Sequence, residues 1–514
     1  MRDLHPLSRG QVPPHLGLIL TLARRVVLLL ALALAALSVL MLERGRGGVT
    51  ATPLSVGTTP ATVWQRPGAD PAPVVIIAHG FAGSRQLMDS FAITLAQAGY
   101  IAVAFDFEGH GRNPTPMSGD VTSVDGTTRL LMDELARVTD AALALPGADG
   151  RVALLGHSMA SDIVVRQAIR DPRVQATVAV SMFSLAVTGT EPRNLLIIAG
   201  EWESMLAEEA LKALHLADPA AELGQTTGDP SEGTARRAIL APHVEHVGVL
   251  YSATAMRESR DWLDATFGRT SDAPVAERGG WIALLLVATV AIGWPLAALT
   301  RRLRPADPPP SLSARRFWTA ALLPPLATPF LLAPFDTRIL PVLVADYLAL
   351  HFLLMGALTL LIARPALRLD RTSLALALPV AAFGILVFGT VLDRYVASFW
   401  PTPERFTIIA AMAAGAIPFM LADATLTEGG RAPLLRTLAT RTAALASLGL
   451  AVALDFERLF FLLIILPVIL LFFLLFGTAG GWIGRASHRP AAAGLGLGLF
   501  LAWALGVTFP LFAA

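Results

Sequence analysis

Apolar residues are distributed unevenly along the chain and divide it into three parts. Residues 17–42 form one long apolar segment, interrupted by two arginines. Residues 50–270 alternate short apolar runs with polar stretches, as folded domains exposed to water do. From about residue 280 onward the chain is almost continuously apolar. We therefore predict an N-terminal segment with an anchor helix over 1–49, a folded domain over 50–270 and a helical transmembrane domain over 271–514.

The region after residue 270 contains eight further apolar segments, each close to the roughly 20 residues that cross the hydrocarbon core of a bilayer. In chain order they cover 280–300, 317–335, 338–363, 373–392, 406–424, 438–455, 459–477 and 491–512. The stretch "ERGRGGVTATP" after the first segment has no clear small-x-small cleavage site, which favours an uncleaved anchor over a signal peptide. The sequence therefore predicts nine membrane spans.

Arginines mark one end of alternate spans. They precede the first span and follow the second, fourth, sixth and eighth spans, whereas the other connections hold few. The arginines of this set are Arg2, Arg9, Arg24, Arg25, Arg301, Arg302, Arg304, Arg315, Arg316, Arg364, Arg368, Arg371, Arg431, Arg436, Arg441, Arg485 and Arg489. Because arginine-rich loops face the cytoplasm, we expect an integral protein of a bacterial cytoplasmic membrane. Its N-terminus would lie inside, and its folded domain and C-terminus outside.

Short apolar runs in the folded domain predict a sheet. Strands are expected at 73–80, 101–111, 151–158, 174–183, 194–203 and 236–246. Helices are expected at 84–100, 127–145, 159–170 and 250–266. Strands that alternate with helices indicate an α/β fold with a mostly parallel sheet covered on both faces. In such a sheet, reactive groups collect at the carboxyl ends of the strands.

Chemically active side chains follow the ends of three predicted strands. The third strand ends at Ser158 in "GHSMA", the fifth ends in "GEWE", and the sixth ends in "PHVEH". By itself the G-x-S-x-A pattern is expected about once by chance in a chain of this length, and it is equally compatible with a helix N-cap. A serine, a carboxylate and a histidine in this order at successive strand ends favour a nucleophile.

These motifs resemble the α/β-hydrolase fold superfamily over roughly residues 50–270. "HGF" at 79–81 is similar to its oxyanion loop, "DFEGHGRN" at 106–113 to its D-x-x-G-H-G-x-S loop, and "GHSMA" to its nucleophile elbow. "WL" at 262–263 falls where the final helix packs. Two positions depart from the pattern: Ala160 replaces the second elbow glycine, and the acid is Glu where Asp is more common. The resemblance implies a serine hydrolase domain fused to a polytopic membrane domain.

The resemblance also implies a role for each site residue. Ser158 would attack a carbonyl carbon, His246 would take and return the proton, and Glu203 would orient the imidazole. The backbone N–H groups of Phe81 and Met159 would form the oxyanion hole.

Two residues close in sequence to Glu203 and His246 are alternative candidates for the acid and the base. Glu201 is the alternative acid, and His243 is the alternative base. His79 and His110 correspond to residues that shape tight loops in the family, so we expect both to be structural. His79, His110 and His157 lack carboxylates at a ligand-like spacing, and we expect neither a metal nor a cofactor.

The lengths of the connections bear on the substrate. Only "SLAVTGTEPRN" separates the fourth and fifth strands, which leaves no room for a helical lid, whereas the longer segment 204–235 has room to cover part of the site. Met159, Met182, Phe183 and Phe81 are expected near the serine, where they would form an apolar acyl pocket. We therefore expect a small-molecule or lipid acyl substrate and contact with membrane lipids.

Composition and charge narrow the functional classes. The net charge of +1 gives no indication of a nucleic-acid partner, and the absence of cysteine excludes disulfides and thiolate chemistry. Asp346 and His351 lie within the fourth span, where ionisable groups are functional candidates, although a spacing of five places them on different helix faces. The main hypothesis is a serine hydrolase of the esterase or lipase type. An acyltransferase with the same triad, and a transporter or sensor with a hydrolase-like binding domain, are the alternatives.

Overall fold

A sheet of nine strands forms the centre of the folded domain in the computed structural model, which describes residues 14–68, 70–120, 123–305, 307–340 and 342–513. The strands are β1 (Thr50–Val56), β2 (Thr59–Gln65), β3 (Ala72–Ala78), β4 (Ile101–Phe105), β5 (Ala148–His157), β6 (Val174–Val180), β7 (Leu195–Gly200), β8 (Thr226–Thr227) and β9 (Arg236–Ala241). Their spatial order is β1-β2-β4-β3-β5-β6-β7-β9-β8. The central six strands are parallel, and β1, β2 and β8 join antiparallel at the edges.

The six predicted strands are the six central ones. Every residue of β3, β4 and β7 is buried, because helices cover both faces of the sheet and the strands therefore read as continuous apolar runs. The edge strands β1, β2 and β8 were not predicted. The residues of β1 are mostly exposed, β2 is only partly buried, and β8 has only two residues, so none of them produces such a run.

Five helices pack on the two faces of this sheet. They are α2 (Asp89–Gln97), α3 (Arg129–Leu143), α4 (Met159–Arg170), α5 (Ser204–His215) and α6 (Ala253–Phe267); α1 (Pro14–Arg44) precedes the domain. Val75 and Ile77 of β3 face α2 and α6, whereas Val74 and Ile76 face α3 and α4. Trp262 of α6 is buried, and its indole Nε1 donates to the carbonyl of Asn194 at 3.0 Å.

The C-terminal region consists of helices. They are α7 (Gly279–Ala297), α8 (Ala314–Leu332), α9 (Ala345–Ala363), α10 (Arg371–Ala382), α11 (Gly389–Tyr395), α12 (Arg405–Leu426), α13 (Leu434–Leu454), α14 (Phe456–Leu459), α15 (Leu462–Phe472), α16 (Thr478–Ser487) and α17 (Pro490–Thr508). Wider helical turns at 383–388 and 473–477 join α10 to α11 and α15 to α16 into two longer helices. These helices form a unit with its own apolar core, which we call the membrane half because most of its helices are long and apolar enough to span a membrane.

Within the described residues, eight helices have the length and apolar composition needed to cross a membrane. They are α1, α7, α9, α10–α11, α12, α13, α15–α16 and α17, whereas nine spans were predicted. The difference is α8, the helix in the predicted third span. Its second and third residues are Arg315 and Arg316, and it contains three prolines. It is therefore not among the helices apolar enough to cross a membrane, although its 19 residues give it a sufficient length.

The two ionisable residues of α9 make separate local contacts. The carboxylate of Asp346 accepts hydrogen bonds from backbone amides around the start of the helix, those of Ile339, Leu340 and Tyr347. Nε2 of His351 lies 3.0 Å from the hydroxyl of Ser447 on α13. As the spacing predicted, the two side chains occupy different environments: Asp346 binds amides of its own helix start and the preceding loop, whereas His351 contacts a neighbouring helix.

The membrane half holds the loop that follows β4. The backbone N–H of Met117 donates to the carbonyl of Leu511 at 2.8 Å, so that residues 509–513 run alongside the loop. The side chain of Arg405 is 1% exposed, and its Nη2 donates to the carbonyl of Gly109 at 3.0 Å. The folded domain is thus fastened to the membrane half through buried polar contacts.

Asp393 of α11 and the loop between α11 and α12 contact a second part of the folded domain. The backbone N–H of Ser398 donates to the hydroxyl of Ser84 at 3.0 Å, and both residues are buried. Asp393 forms an ion pair with Arg112 at 2.5 Å. Local sequence patterns do not show which residues form these two contacts, because each contact joins residues that are far apart in the chain.

Close packing of α9 against α12 gives the first prediction. A Cβ added at Gly415 would lie 2.1 Å from the carbonyl oxygen of Ala349, whereas one added at Gly449 on α13 would meet open space. Gly415→Ala is expected to push the two helices apart and to lower the free energy of unfolding by about 1–3 kcal/mol. Thermal unfolding in detergent would measure this, with Gly449→Ala as the matched control. Equal unfolding temperatures for the two variants would contradict the proposed close packing.

Candidate active site

Ser158 lies on a sharp turn between β5 and α4. Its backbone has φ 54° and ψ −119°, a conformation that non-glycine residues rarely adopt and that is concentrated at functional sites. A Cβ added at Gly156 would lie 2.4 Å from the carbonyl oxygen of Ala160, so position 156 requires glycine. The close approach involves the carbonyl of residue 160 and not its methyl group, which explains why alanine is accommodated there.

Three predicted side chains meet at the carboxyl edge of the sheet. Nε2 of His246 lies 2.8 Å from Oγ of Ser158, and Nδ1 of His246 lies 2.5 Å from Oε1 of Glu203. The carboxylate side chain of Glu203 is 6% exposed, whereas the imidazole of His246 is 44% exposed. The hydrogen bonds therefore run in one line from a nearly buried carboxylate to a hydroxyl that substrate can reach.

Further hydrogen bonds keep the Glu203 carboxylate charged. Oε2 accepts from the backbone N–H of Gly200 at 2.6 Å and from the hydroxyl of Ser181 at 2.8 Å. Burial raises the pKa of this carboxyl, but the hydrogen bonds from His246, Gly200 and Ser181 outweigh it, and the pKa lies below its ordinary value. Ser181 was not singled out in the sequence, although a hydroxyl directly after β6 is a recognisable feature.

The alternative acid and base contact each other and not Ser158. The backbone N–H of His243 donates to the Glu201 carboxylate at 2.7 Å, and Nδ1 of the same histidine lies 3.2 Å from it. Both side chains are at the surface, with exposed fractions of 83% for His243 and 46% for Glu201. Of the two candidate pairs, Glu203 with His246 is the one that the structure brings to the serine.

His157, which the sequence analysis did not include in the site, holds the loop of His246 in place. Its Nε2–H donates to the backbone carbonyl of His246 at 2.9 Å. The two imidazole centroids are 4.9 Å apart. Burial, and after it the nearby His246 ring, lowers the pKa of His157 to about 3, so the ring is neutral at pH 7. Its position directly before the serine was the available signal.

The predicted oxyanion donors lie beside the serine. Met159 is the first residue of α4, and the first N–H groups of a helix have no acceptor within the helix. Residue 80 passes close to the serine, because a Cβ added at Gly80 would lie 3.0 Å from the Cβ of Ser158. The backbone N–H of Phe81 follows directly. The structure thus places Phe81 and Met159 on the two chain segments that adjoin the hydroxyl.

His79 and His110 shape the loops of this side of the site. Nδ1–H of His79 donates to the carbonyl of Gly80 at 2.8 Å, and its Nε2 accepts from the backbone N–H of Phe107 at 3.2 Å. Nδ1–H of His110 donates to the carbonyl of Glu108 at 2.9 Å. Both rings are buried, and burial lowers the pKa of both. These contacts are structural, in agreement with the sequence analysis.

The loops around the serine lie against the membrane half. The ring of Phe81 packs on that of Phe461, between α14 and α15, with centroids 4.6 Å apart. Tyr251, a few residues after His246, packs against Leu42 of α1 and against the start of α7. Together with the contacts of the loop after β4, they place the catalytic edge of the sheet at the ends of the membrane helices.

The two apolar residues predicted after β6 have different surroundings. Met182 is 1% exposed and belongs to the core beneath α5. Phe183 is 51% exposed and lies at the surface. Met182 is therefore a core residue, and only Phe183 is available to a bound molecule from solvent.

Comparison with protein families gives one match. The family model described as "Serine aminopeptidase, S33" matches residues 69–218, which is less than a third of the chain. The matched range includes the oxyanion loop, the serine and the acid, and it ends before the histidine. A comparison with curated protein sequences gives no match.

Several solved structures resemble the folded domain. An epoxide hydrolase, VrEH1, from Vigna radiata is 22% identical with a TM-score of 0.22; the match covers 28% of this chain and only 40% of that enzyme. A membrane phospholipase A described as a bacterial virulence factor is 17% identical, with 49% of this chain and 98% of that chain covered and a TM-score of 0.31. A predicted CIB-like hydrolase from Thermoplasma acidophilum is 14% identical, with 42% and 97% covered and a TM-score of 0.33.

Likenesses this distant carry no argument about substrate or reaction. The fold follows from the chain itself: the strand order, the antiparallel strands at the edges and the turn of Ser158 after β5 are those of an α/β-hydrolase. The family model covers the same region. The chain therefore contains an α/β-hydrolase domain, joined to a region of helices long and apolar enough to span a membrane.

Proposed function

We propose that this protein is a membrane-bound serine hydrolase that cleaves ester or other acyl bonds with Ser158, His246 and Glu203. The observation that carries the proposal is the unbroken line of hydrogen bonds from the Glu203 carboxylate through the His246 ring to Oγ of Ser158. A serine hydroxyl is a weak nucleophile on its own, and a base that is itself held by a buried carboxylate activates it.

The first half of the reaction forms an acyl-enzyme. Oγ of Ser158 attacks the carbonyl carbon of the substrate while Nε2 of His246 takes the hydroxyl proton. The negative charge on the substrate oxygen is stabilised by the N–H groups of Phe81 and Met159, and losing one such donor costs about 2.7–4 kcal/mol of barrier stabilisation. The tetrahedral intermediate then collapses. The bond to the leaving alcohol breaks, and His246 returns the proton to that alcohol.

The second half releases the acyl group as a carboxylic acid. Water attacks the acyl carbon, His246 takes a proton from that water and then gives it to Oγ of Ser158. An acyltransferase would use an alcohol at this step and would need to exclude water. The 44% exposure of the His246 side chain favours water as the acceptor. A transporter or sensor with a binding domain has no use for an aligned nucleophile, base and acid.

The distribution of arginines supports an extracytoplasmic site. If α8 crosses the membrane, nine spans place every arginine-rich loop in the cytoplasm and the hydrolase domain outside. Without a crossing by α8, the loops that follow it would reverse their sides, and the later arginine clusters would face outward.

A fluorophosphonate probe tests the triad. We expect membranes with the wild-type chain to be labelled, Ser158→Ala to be unlabelled, and His246→Ala to react at least about a thousandfold more slowly, because members of a triad act as a unit. His243→Ala and Glu201→Gln are the matched controls, since these residues pair at the surface, and both should react like the wild type.

Folding of each variant is checked by its thermal unfolding in detergent. An unlabelled wild type that unfolds cooperatively would refute the triad. Loss of labelling in His243→Ala, with labelling retained in His246→Ala, would show that His243 and not His246 is the base.

The pH profile tests the environment of Glu203. Ser181→Ala removes a hydrogen bond that favours the charged carboxylate, so the pKa of Glu203 should rise. As the pH is lowered, the variant should therefore lose activity at a higher pH than the wild type does. Hydrolysis of p-nitrophenyl butyrate should also slow by about tenfold at neutral pH. Ser231→Ala, which changes a hydroxyl in an exposed turn, is the control. An acid limb that coincides with that of the wild type would show that Ser181 does not act on the acid.

Single cysteines test the orientation, since the chain contains no cysteine. A membrane-impermeant maleimide added to intact cells should label Ala220→Cys in the hydrolase domain and Asp336→Cys between α8 and α9. It should label Asp307→Cys between α7 and α8 only after the cells are lysed. Labelling at 307 and 336 on the same side would show that α8 does not cross.

A further inference from the structure

Exposed apolar side chains follow the carboxyl ends of β6, β7 and β9, on the side of the sheet edge where Glu203 and His246 lie. We call this set the rim; it consists of Phe183, Leu185, Trp202, Met205 and Val247, with exposed fractions of 51%, 80%, 65%, 66% and 50%. Each lies within four residues of Ser181, Glu203 or His246, which are joined by hydrogen bonds. Phe183 and Leu185 follow Ser181, Trp202 and Met205 flank Glu203, and Val247 follows His246. The rim is therefore part of the site opening and not a scattered set of surface residues.

The short connection between β6 and β7 leaves the rim uncovered. Residues 181–194 contain no helix, and this is the place where a helical lid would be inserted. Apolar side chains gathered at one opening and left in water are unfavourable by about 25 cal/mol per Å². Such patches mark surfaces that contact a membrane or a partner.

A second apolar surface reaches the serine from the membrane half. Phe456, the first residue of α14, is 58% exposed, and Phe460, directly after this helix, is 43% exposed. Phe460 packs on Phe461 with ring centroids 5.7 Å apart. Phe461 in turn packs on Phe81, whose backbone adjoins Ser158. Exposed residues of α15 extend this surface along the helix, among them Leu463 and Ile464. Apolar contacts therefore continue from the lipid-facing side of α15 to the serine.

The edge of the sheet that carries the rim is also the edge that lies against the membrane half. The oxyanion loop, the loop after β4 and the turn that contains Tyr251 all touch the membrane half near the ends of its helices. Aromatic residues such as Trp202 and the three phenylalanines are typical of the zone where lipid meets water. This zone is also where the acyl esters of a glycerolipid lie, between the hydrocarbon chains and the headgroups.

We propose, on the basis of the proposed hydrolase function, that the substrate is an acyl ester of a bilayer lipid, which reaches Ser158 directly from the adjacent leaflet. The acyl chain enters between the rim and the phenylalanines at 456, 460 and 461, and its carbonyl carbon stops at the serine. Attack by Oγ of Ser158 breaks the ester bond and releases the lipid alcohol, and water then releases the chain as a fatty acid. The rim rests in the leaflet and holds the opening against it.

Two probes of the same reactive group test this proposal without knowledge of the headgroup. The full-length protein is placed in vesicles of phosphatidylethanolamine and phosphatidylglycerol. A short water-soluble fluorophosphonate and a hexadecyl fluorophosphonate dissolved in the bilayer are compared by their rates of serine labelling. The measured quantity is the ratio of the bilayer rate to the soluble rate, so that a general loss of reactivity cancels.

We expect the double variant Leu185→Ser/Trp202→Ser to lower this ratio by about tenfold or more, since it removes two apolar side chains from the opening. Ile169→Ser is the matched control: Ile169 is 40% exposed near the C-terminal end of α4, away from the catalytic edge. Its ratio should equal that of the wild type.

An unchanged ratio in the double variant would overturn the proposal. So would a wild type that reacts with the soluble probe and not with the hexadecyl probe, because the site would then be closed to the bilayer while the hydrolase function stands. A wild type that reacts with neither probe would refute the proposed function itself, and the lipid substrate with it.

Discussion

The hydrogen bond between the His246 ring and the Glu203 carboxylate is the contact on which the chemistry of this molecule depends. It fixes which ring nitrogen carries the proton and directs the other nitrogen to Oγ of Ser158. Several features exist to hold it. Ser181 and the amide of Gly200 orient the carboxylate, and His157 fixes the backbone of His246. The strained Ser158, the buried Glu203 carboxylate and the His246 ring therefore form one arrangement.

The membrane half takes part in this arrangement and does more than anchor it. Its loop at Ser398 binds the end of the oxyanion loop, Phe461 packs on Phe81, and Arg405 holds the loop after β4. Burying a guanidinium is costly unless its donors are paired, and here the carbonyl of Gly109 is one of the acceptors. The helices thus supply part of the support that a lid or an extra domain supplies in a hydrolase that works free in water.

Much of the fold and the site was predictable from the sequence because buried elements produce recognisable patterns of apolar residues. The central strands are covered on both faces and produce continuous apolar runs, whereas β1 and β2 at the edge are partly exposed and produce none. The turn at Ser158 was recognisable because glycine is required at 156. The choice between Glu201 and Glu203 could not be settled from the sequence, since both follow β7 and only the folded turn shows which carboxylate faces His246. Ser181 and His157 act through contacts with residues distant in the chain, so their positions after β6 and before Ser158 do not by themselves show which residues they bind.

The pairing of Met117 with Leu511 joins residues that are far apart in the chain. The ribosome completes the hydrolase domain long before it reaches α17, so during synthesis the loop after β4 has no partner strand. That partner is available only after α17 and residues 509–513 have been made. The order of synthesis therefore leaves the loop after β4 unpaired while most of the helical region is still being made.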